Sequence, residues 1–126
     1  MSGDVKLNKA PYGVRLSLSG TIERADLCLG IANIKYYFTP INILIDCSNI
    51  DKINIEASRR LVAMLRLLFK NNINRVVIVY KSNAQIINIT KSISKIFGKR
   101  ERYVSVMFED EGFFKAEKYL QFGVEP

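Results

Sequence analysis

The sequence predicts an α/β domain with a mixed sheet of about five strands, a parallel core and about four helices. Two observations predict this fold. Segments with strand-like patterns alternate with segments of helical period, in the order ββαβαβαβα. Single helices between successive strands also require crossover connections, which make the central strands parallel and leave the first two as an antiparallel hairpin. At 126 residues and 48% apolar content, the chain is predicted to be one domain, 1–126.

The first elements are a hairpin and a short helix. Residues 5–9 and 14–19 alternate apolar and polar side chains around the turn sequence APYG, which is typical of two half-buried strands. A set of apolar residues then recurs at helical spacing, which predicts a short helix that Pro40 ends. These residues are Leu27, Ile31, Ile34 and Phe38.

Next come a central strand and the first long helix. The segment INILIDCS, 41–48, is predicted to be a strand buried on both faces. We expect one face to carry Ile41, Ile43 and Ile45, and the other Leu44 and Cys47. From Ala57 the apolar positions follow helical spacing up to Asn71 and Asn72. The expected core stripe of this helix is Leu61, Met64, Leu65 and Leu68.

The remaining elements repeat the strand-helix alternation. RVVIVY, 75–80, is predicted to be a second strand buried on both faces. Ser82 and Gln85 have capping-box spacing, so we expect a helix to begin there and to end before Gly98. Residues 103–108 form the last predicted strand, and the acidic segment EDEG leads into a final helix, FFKAEKYL.

Composition excludes several common site chemistries. The chain has no histidine, and Cys28 and Cys47 are isolated, so the usual residues of zinc sites and of histidine acid-base catalysis are missing. We interpret both thiols as small buried hydrophobes and predict no cofactor. No long apolar window and no signal-peptide pattern occur, which predicts a cytoplasmic protein. The net charge of +7 accompanies a general richness in Lys, Ile and Asn, so nucleic-acid binding is not expected.

Few residues could carry catalysis. The strand-to-helix junctions lack the glycines of a phosphate-binding loop. Asp46, Asp51 and Glu56 lie near one junction and could hold a hard cation, but solvated loop and helix-start acids account for them equally well. Ser48 and Ser58 have no histidine to activate them, and we interpret them as turn and helix-start hydroxyls.

The first long helix carries a second apolar stripe. Ile55, Val62 and Phe69 are spaced seven apart, roughly opposite the core stripe. Either a neighbouring element covers this face or it binds a partner. The predicted partner-binding residues form one exposed surface: Ile55, Glu56, Arg59, Val62 and Arg66. The basic cluster GKRER, 98–102, is interpreted as a solvated loop.

The segment LIDCSNIDKINIEASRRL, 44–61, resembles the signature of the STAS domain, the SpoIIAA-like fold of bacterial anti-sigma-factor antagonists. In that family a strand ends in Asp-x-Ser, and Asp-Ser-Ser-Gly opens a helix eight residues after the Asp. Asp46-Cys47-Ser48 matches the first part, and Asn54-Ile55-Glu56-Ala57 occupies the second. LSLSGTI, INRVVIVYKSNAQIINI and VMFEDEGFFKAEKYL resemble other family elements, so the likeness covers about residues 13–122.

The resemblance implies a non-enzymatic regulatory module that binds another protein or associates with itself. Family members that switch partners are phosphorylated on the second Ser of the motif, and Glu56 occupies that position. The resemblance therefore implies a contact site without that phosphate switch, built on the junction residues Asp46, Ser48, Asn54 and Ser58.

Two other functions stay open. SpoIIAA-like relatives suggest binding of a lipid or small apolar ligand between a helix and the sheet, and the third possibility is an enzyme of unrecognised type. An apolar pocket larger than about 300 Å³ would favour the ligand, and a flat apolar helix face would favour the protein partner.

Overall fold

The computed structural model describes residues 3–31, 40–71, 73–81, 83–97 and 103–124. The strands are β1 (Asp4–Ala10), β2 (Gly13–Ile22), β3 (Ile41–Ile53), β4 (Ile73–Tyr80) and β5 (Tyr103–Met107). The helices are α1 (Arg24–Ile31), α2 (Ile55–Asn71), α3 (Ala84–Phe97) and α4 (Gly112–Phe122), with a short 3-10 helix at Phe108–Asp110. This element order confirms the predicted α/β fold, ββαβαβαβα.

The five strands form one mixed sheet in the spatial order β1-β2-β3-β4-β5. β1 and β2 are antiparallel, and every other neighbouring pair is parallel, as predicted. The hairpin turn requires a glycine where β2 begins. Gly13 has a φ of 146°, and a Cβ atom there would overlap the carbonyl oxygen of Asn42 on β3.

The helices cover both faces of the sheet. On one face, which carries the main core, α1, α2 and α3 pack through Leu27, Leu61, Leu65, Ile89 and Ile93. On the other face, α4 packs its Ala116, Tyr119 and Leu120 against Leu44, Val77 and Val79. β3 and β4 are therefore buried on both sides, which explains their nearly continuous apolar sequences.

β3 differs from the prediction in length and in the orientation of one side chain. Its side chains alternate, so Cys47 lies with Ile43 and Ile45 in the main core, and Leu44 faces α4. The predicted placement of Cys47 beside Leu44 was wrong. The strand also continues to Ile53, because Asn49–Ile53 pairs with the end of β2 through two register shifts.

The helix starts also differ from the predictions. α2 begins at Ile55, two residues before Ala57. At α3, the side-chain oxygen of Asn83 accepts the Gln85 backbone N–H at 2.9 Å, so Asn83 caps the helix. The side-chain oxygen of Gln85 accepts the backbone N–H of Ile53 at 3.2 Å, which links α3 to the end of β3.

Some predicted features lie outside the described residues. These are Ile34, Phe38, Asn72, Ser82, Gly98 and the basic segment 98–102, together with the side chains of Ile31, Leu68 and Phe69. In the part of the chain that is described, no helix has both the length and the apolar character needed to cross a membrane.

Candidate functional site

Asn54 organises the junction between β3 and α2. Its backbone N–H donates to the carbonyl oxygen of Ile22 at 3.0 Å, which ties the junction to the end of β2. Its side-chain oxygen accepts the backbone N–H of Glu56 at 2.7 Å, so Asn54 is the N-cap of α2. Glu56 lies exposed in the first turn of the helix, where a carboxylate is favoured by the helix dipole. The expected position of Glu56 is confirmed.

Asp46 and Ser48 form a buried group that faces α4, on the opposite side of the sheet from α2. The Asp46 carboxylate accepts a bond from Arg15 Nη2 at 2.9 Å. Its other oxygen accepts the Ser48 hydroxyl at 2.6 Å and the Ser48 backbone N–H at 3.0 Å. The sheet therefore separates Asp46 and Ser48 from Asn54 and Glu56. Both carboxylate oxygens of Asp46 already accept hydrogen bonds from Arg15 or Ser48.

The junction lacks two kinds of reactive centre. No group of three or more Asp, Glu or Cys side chains that could hold a metal ion occurs within the described residues. Burial and, to a lesser extent, the neighbouring Asp46 charge raise the pKa of the Cys47 thiol to about 12. Cys47 is thus a protonated core side chain. Cys28 is only partly buried, so the expectation that both thiols are buried was wrong for Cys28.

A cleft of about 650 Å³ runs between α2 and α3. We call it the α2–α3 groove. Its apolar lining consists of Ile53, Ile55, Val62, Ala63, Leu67 and Ile89. The rest of the described lining comprises two arginines, Arg59 and Arg66, and four neutral polar residues, and none of the described lining residues is acidic. The α2 face that the sequence predicted as a binding surface therefore forms one wall of a concave groove. Residues of α3 form the other wall.

The apolar residues of the groove differ in exposure. Ile55 and Leu67 lie near its two ends and are 70% and 72% exposed. They are twelve positions apart on α2, a distance of about 18 Å along the helix axis. Val62 lies between them, half-buried, and packs against the main core. The prediction of one uniformly exposed surface was wrong for Val62, because neighbouring core side chains cover part of it.

A second cleft, of about 330 Å³, lies between α1 and α2 and is lined by Arg24, Glu56, Arg59, Arg60 and Ala63. We call it the α1–α2 cleft. Arg59 and Ala63 line both clefts. Of the five predicted partner-binding residues, Ile55, Arg59, Val62 and Arg66 therefore meet in the groove, and Glu56 faces the other cleft.

Sequence reasoning missed several lining residues. Leu67 continues the α2 face at helical spacing from Ala63, so the helical pattern could have identified it. Arg24 and Ile89 come from α1 and α3, and no pattern within α2 could have included them.

Among the described residues, the arginines of both clefts form no ion pair with an acidic side chain. Two ion pairs within 4 Å occur among the described residues, Lys6–Asp4 at 3.5 Å and Arg15–Asp46 at 2.9 Å. Neither involves an arginine of the clefts, which are Arg24, Arg59, Arg60 and Arg66. The surface on both sides of α2 is therefore positively charged and has charge available for an anionic ligand.

Comparison with known proteins identifies the fold. No protein-family model and no curated protein sequence matches this chain. A similar solved structure is that of an uncharacterised protein of the DUF3478 family from Shewanella loihica, described as having a SpoIIAA-like fold. The similarity has a TM-score of 0.58 at 14% sequence identity and covers 90% of this chain and 92% of the other. This chain therefore has a SpoIIAA-like fold, as the resemblance implied.

Proposed function

We propose that this chain is a non-enzymatic module that binds a protein partner through the α2–α3 groove. The observation that carries the proposal is the combination of a concave apolar lining with two arginines and no acidic residue. Exposed apolar side chains that are bordered by polar or charged residues are typical of interaction sites. The regulatory role that the STAS resemblance implies agrees with a binding function.

The hydroxyl groups in the groove favour binding over catalysis. Ser58 donates its hydroxyl proton to the carbonyl oxygen of Asn54 at 3.2 Å. Ser92 donates in the same way to the carbonyl oxygen of Asn88 at 3.0 Å. Both hydroxyls are therefore engaged in local helix bonds, and the lining contains no carboxylate, thiol or imidazole that could activate them.

The partner that fits this groove is an amphipathic helix with acidic flanks. The distance of about 18 Å between Ile55 and Leu67 matches roughly three turns of helix, which present apolar anchors at i, i+3 or i+4, and i+7. Acidic side chains beside those anchors would pair with Arg59 and Arg66. The net charge of +7 on the whole chain would attract such a segment at long range.

Release of this partner would not depend on phosphorylation at the position that is modified in STAS domains. Glu56 occupies that position in this chain and has no hydroxyl group. The proposed module acts in the cytoplasm, as the composition predicts.

Binding of a small apolar ligand is the second candidate. The groove volume of about 650 Å³ lies within the range of about 300 to 1,000 Å³ that is usual for ligand sites. This volume exceeds the value of about 300 Å³ above which a ligand is favoured. The groove, however, lies between two helices and not between a helix and the sheet. An amphipathic carboxylate could place its chain along the apolar lining and its charge on an arginine.

Affinity capture with groove variants tests both candidates. The tagged chain is used as bait in its native host, alongside Leu67→Glu, Arg66→Glu and the matched control Lys118→Glu on α4. We expect a captured protein whose measured affinity falls at least about ten-fold in both groove variants and is unchanged in the control. Equal binding by all four forms would contradict the proposal. A small molecule found by native mass spectrometry and lost in Leu67→Glu would instead support the second candidate.

A further inference from the structure

We propose that the α1–α2 cleft binds a phosphate group, carried as a phosphorylated side chain on the partner segment that occupies the α2–α3 groove. This inference rests on the proposed function. It assigns to Arg24, Arg59 and Arg60 the recognition of a phosphomonoester, and it goes beyond the groove because these residues lie mainly on the other side of α2.

The charge of the cleft matches a dianion. Three guanidinium groups and the single carboxylate of Glu56 line it, which leaves a net charge of about two positive. A phosphomonoester carries about −1.5 to −2 at pH 7, whereas a carboxylate carries one negative charge. The cleft is therefore neutralised more completely by a phosphate than by an acidic side chain.

The donors of the cleft are also available. Arg24, Arg59 and Arg60 are all exposed, and the two ion pairs among the described residues involve none of them. A guanidinium group presents paired N–H donors that match phosphate oxygens in a bidentate arrangement. Three such groups around one small cleft can bind several oxygens of the same phosphate.

The size and lining of the cleft favour a phosphate group over a nucleotide. Its volume is about 330 Å³, and Ala63 is its one apolar lining residue. None of its described lining residues is aromatic, so they offer a nucleobase no surface on which to stack. The cleft therefore fits a charged group that projects from a larger ligand.

The two clefts share lining residues on α2. Arg59 and Ala63 line both, and Ala63 is an exposed small residue. A segment that lies in the groove can extend one side chain over α2 at Ala63 and place its phosphate among the arginines. A membrane surface presents its phosphates in a plane, which suits a concave cleft between two helices less well than a single side chain does.

A titration followed by backbone NMR tests the phosphate site independently of the groove. The probes are N-acetyl-O-phosphoserine amide, N-acetylserine amide and inorganic phosphate, each added to the full chain at constant ionic strength. We expect the phosphoserine amide to shift the amides of residues 24 and 56–60, and the serine amide to shift none. Arg24→Gln and Arg60→Gln should each weaken binding by about ten-fold, because each removes charge-assisted bonds to the phosphate.

Two further variants make the test specific. Glu56→Gln removes the one repelling carboxylate, so it should strengthen phosphoserine binding by about three-fold. Lys118→Gln on α4 removes the same charge from the opposite face of the sheet and should change binding by less than about two-fold. Leu67→Glu also lowers the net charge by one, outside the cleft, and should likewise change phosphoserine binding by less than about two-fold, whereas it should abolish partner binding in the groove. Failure of the groove and failure of the phosphate site therefore give different results.

Four outcomes would overturn the proposal. They are equal weakening by Lys118→Gln and Arg60→Gln, no effect of Arg24→Gln and Arg60→Gln, and inorganic phosphate binding several-fold more tightly than the phosphoserine amide, which would assign the cleft to the free anion. The fourth is recruitment to vesicles that contain phosphatidic acid, lost in Arg60→Gln, without binding of the phosphoserine amide. That last result would assign the cleft to a membrane headgroup.

Discussion

Arg15 of β2 and Asp46 of β3 form a 2.9 Å ion pair in which the aspartate side chain is 4% exposed and the arginine side chain is 35% exposed. The same guanidinium lies 4.5 Å from the centre of the Phe113 ring on α4. One arginine thus links two parallel strands and the helix that covers them. Ser48 binds the other oxygen of Asp46, so removal of Arg15 leaves a buried carboxylate that has no cation beside it.

We expect Arg15→Met to lower the free energy of unfolding by about 2 kcal/mol. Breaking a fully buried pair costs about 3 to 5 kcal/mol, and partial exposure of Arg15 lets water reduce that cost. Urea unfolding measures the change. Lys6→Met removes the exposed 3.5 Å pair with Asp4 and serves as the control, with an expected cost below about 0.5 kcal/mol. Equal costs for both variants would show that burial of Asp46 has no energetic consequence.

Asn54→Ala should destabilise the chain by about 1 kcal/mol, because it leaves the Glu56 backbone N–H without its cap. Asn54→Asp retains an acceptor at the same place and should cost less than about 0.5 kcal/mol. Chemical denaturation followed by circular dichroism distinguishes the two variants. If Asn54→Asp is as damaging as Asn54→Ala, the side chain of Asn54 has a role other than capping.

Val62→Glu and Leu67→Glu should differ in their effects on stability. Val62 packs partly against the main core, so a carboxylate there should lower the free energy of unfolding by about 1 to 2 kcal/mol. Leu67 is 72% exposed, and its substitution should change stability by less than about 0.5 kcal/mol. Thermal unfolding of both variants checks this prediction. A stable Val62→Glu variant would mean that Val62 is as accessible as the sequence analysis expects. Leu67→Glu is therefore the cleaner probe of partner binding.

Stability should decrease in alkaline solution through Cys47. Its thiol has an ordinary pKa of 9.0, and burial raises that pKa to about 12 in the folded chain. Above pH 9 the unfolded thiol loses its proton while the folded thiol keeps it, so stability falls as pH rises from about 9 to 12. The expected slope is at most about 1.4 kcal/mol per pH unit. Cys47→Ala should show a shallower decline in urea titrations between pH 8 and 10.5. Identical pH slopes for the two chains would contradict this assignment.

The order of elements and their type follow from local sequence. Alternation of period two defines the hairpin strands, continuous apolar runs define β3 and β4, and helical stripes define α2 and α3. These patterns arise because each element must bury one face or both, and the local geometry of a strand or helix determines which residues share a face. The same reasoning identified the face of α2 that carries Arg59 and Arg66.

Other features depend on residues distant in sequence, so only the tertiary structure decided them. β3 continues to Ile53 because it pairs with the end of β2, and the side chain of Gln85 on α3 binds the backbone N–H of Ile53, which is 32 positions away. The two clefts exist because α1 and α3 pack on either side of α2, which brings Arg24 and Ile89 to opposite flanks of one helix. Helix periodicity can place a side chain on a face, but the depth and charge of a cleft depend on which elements the sheet brings beside that face.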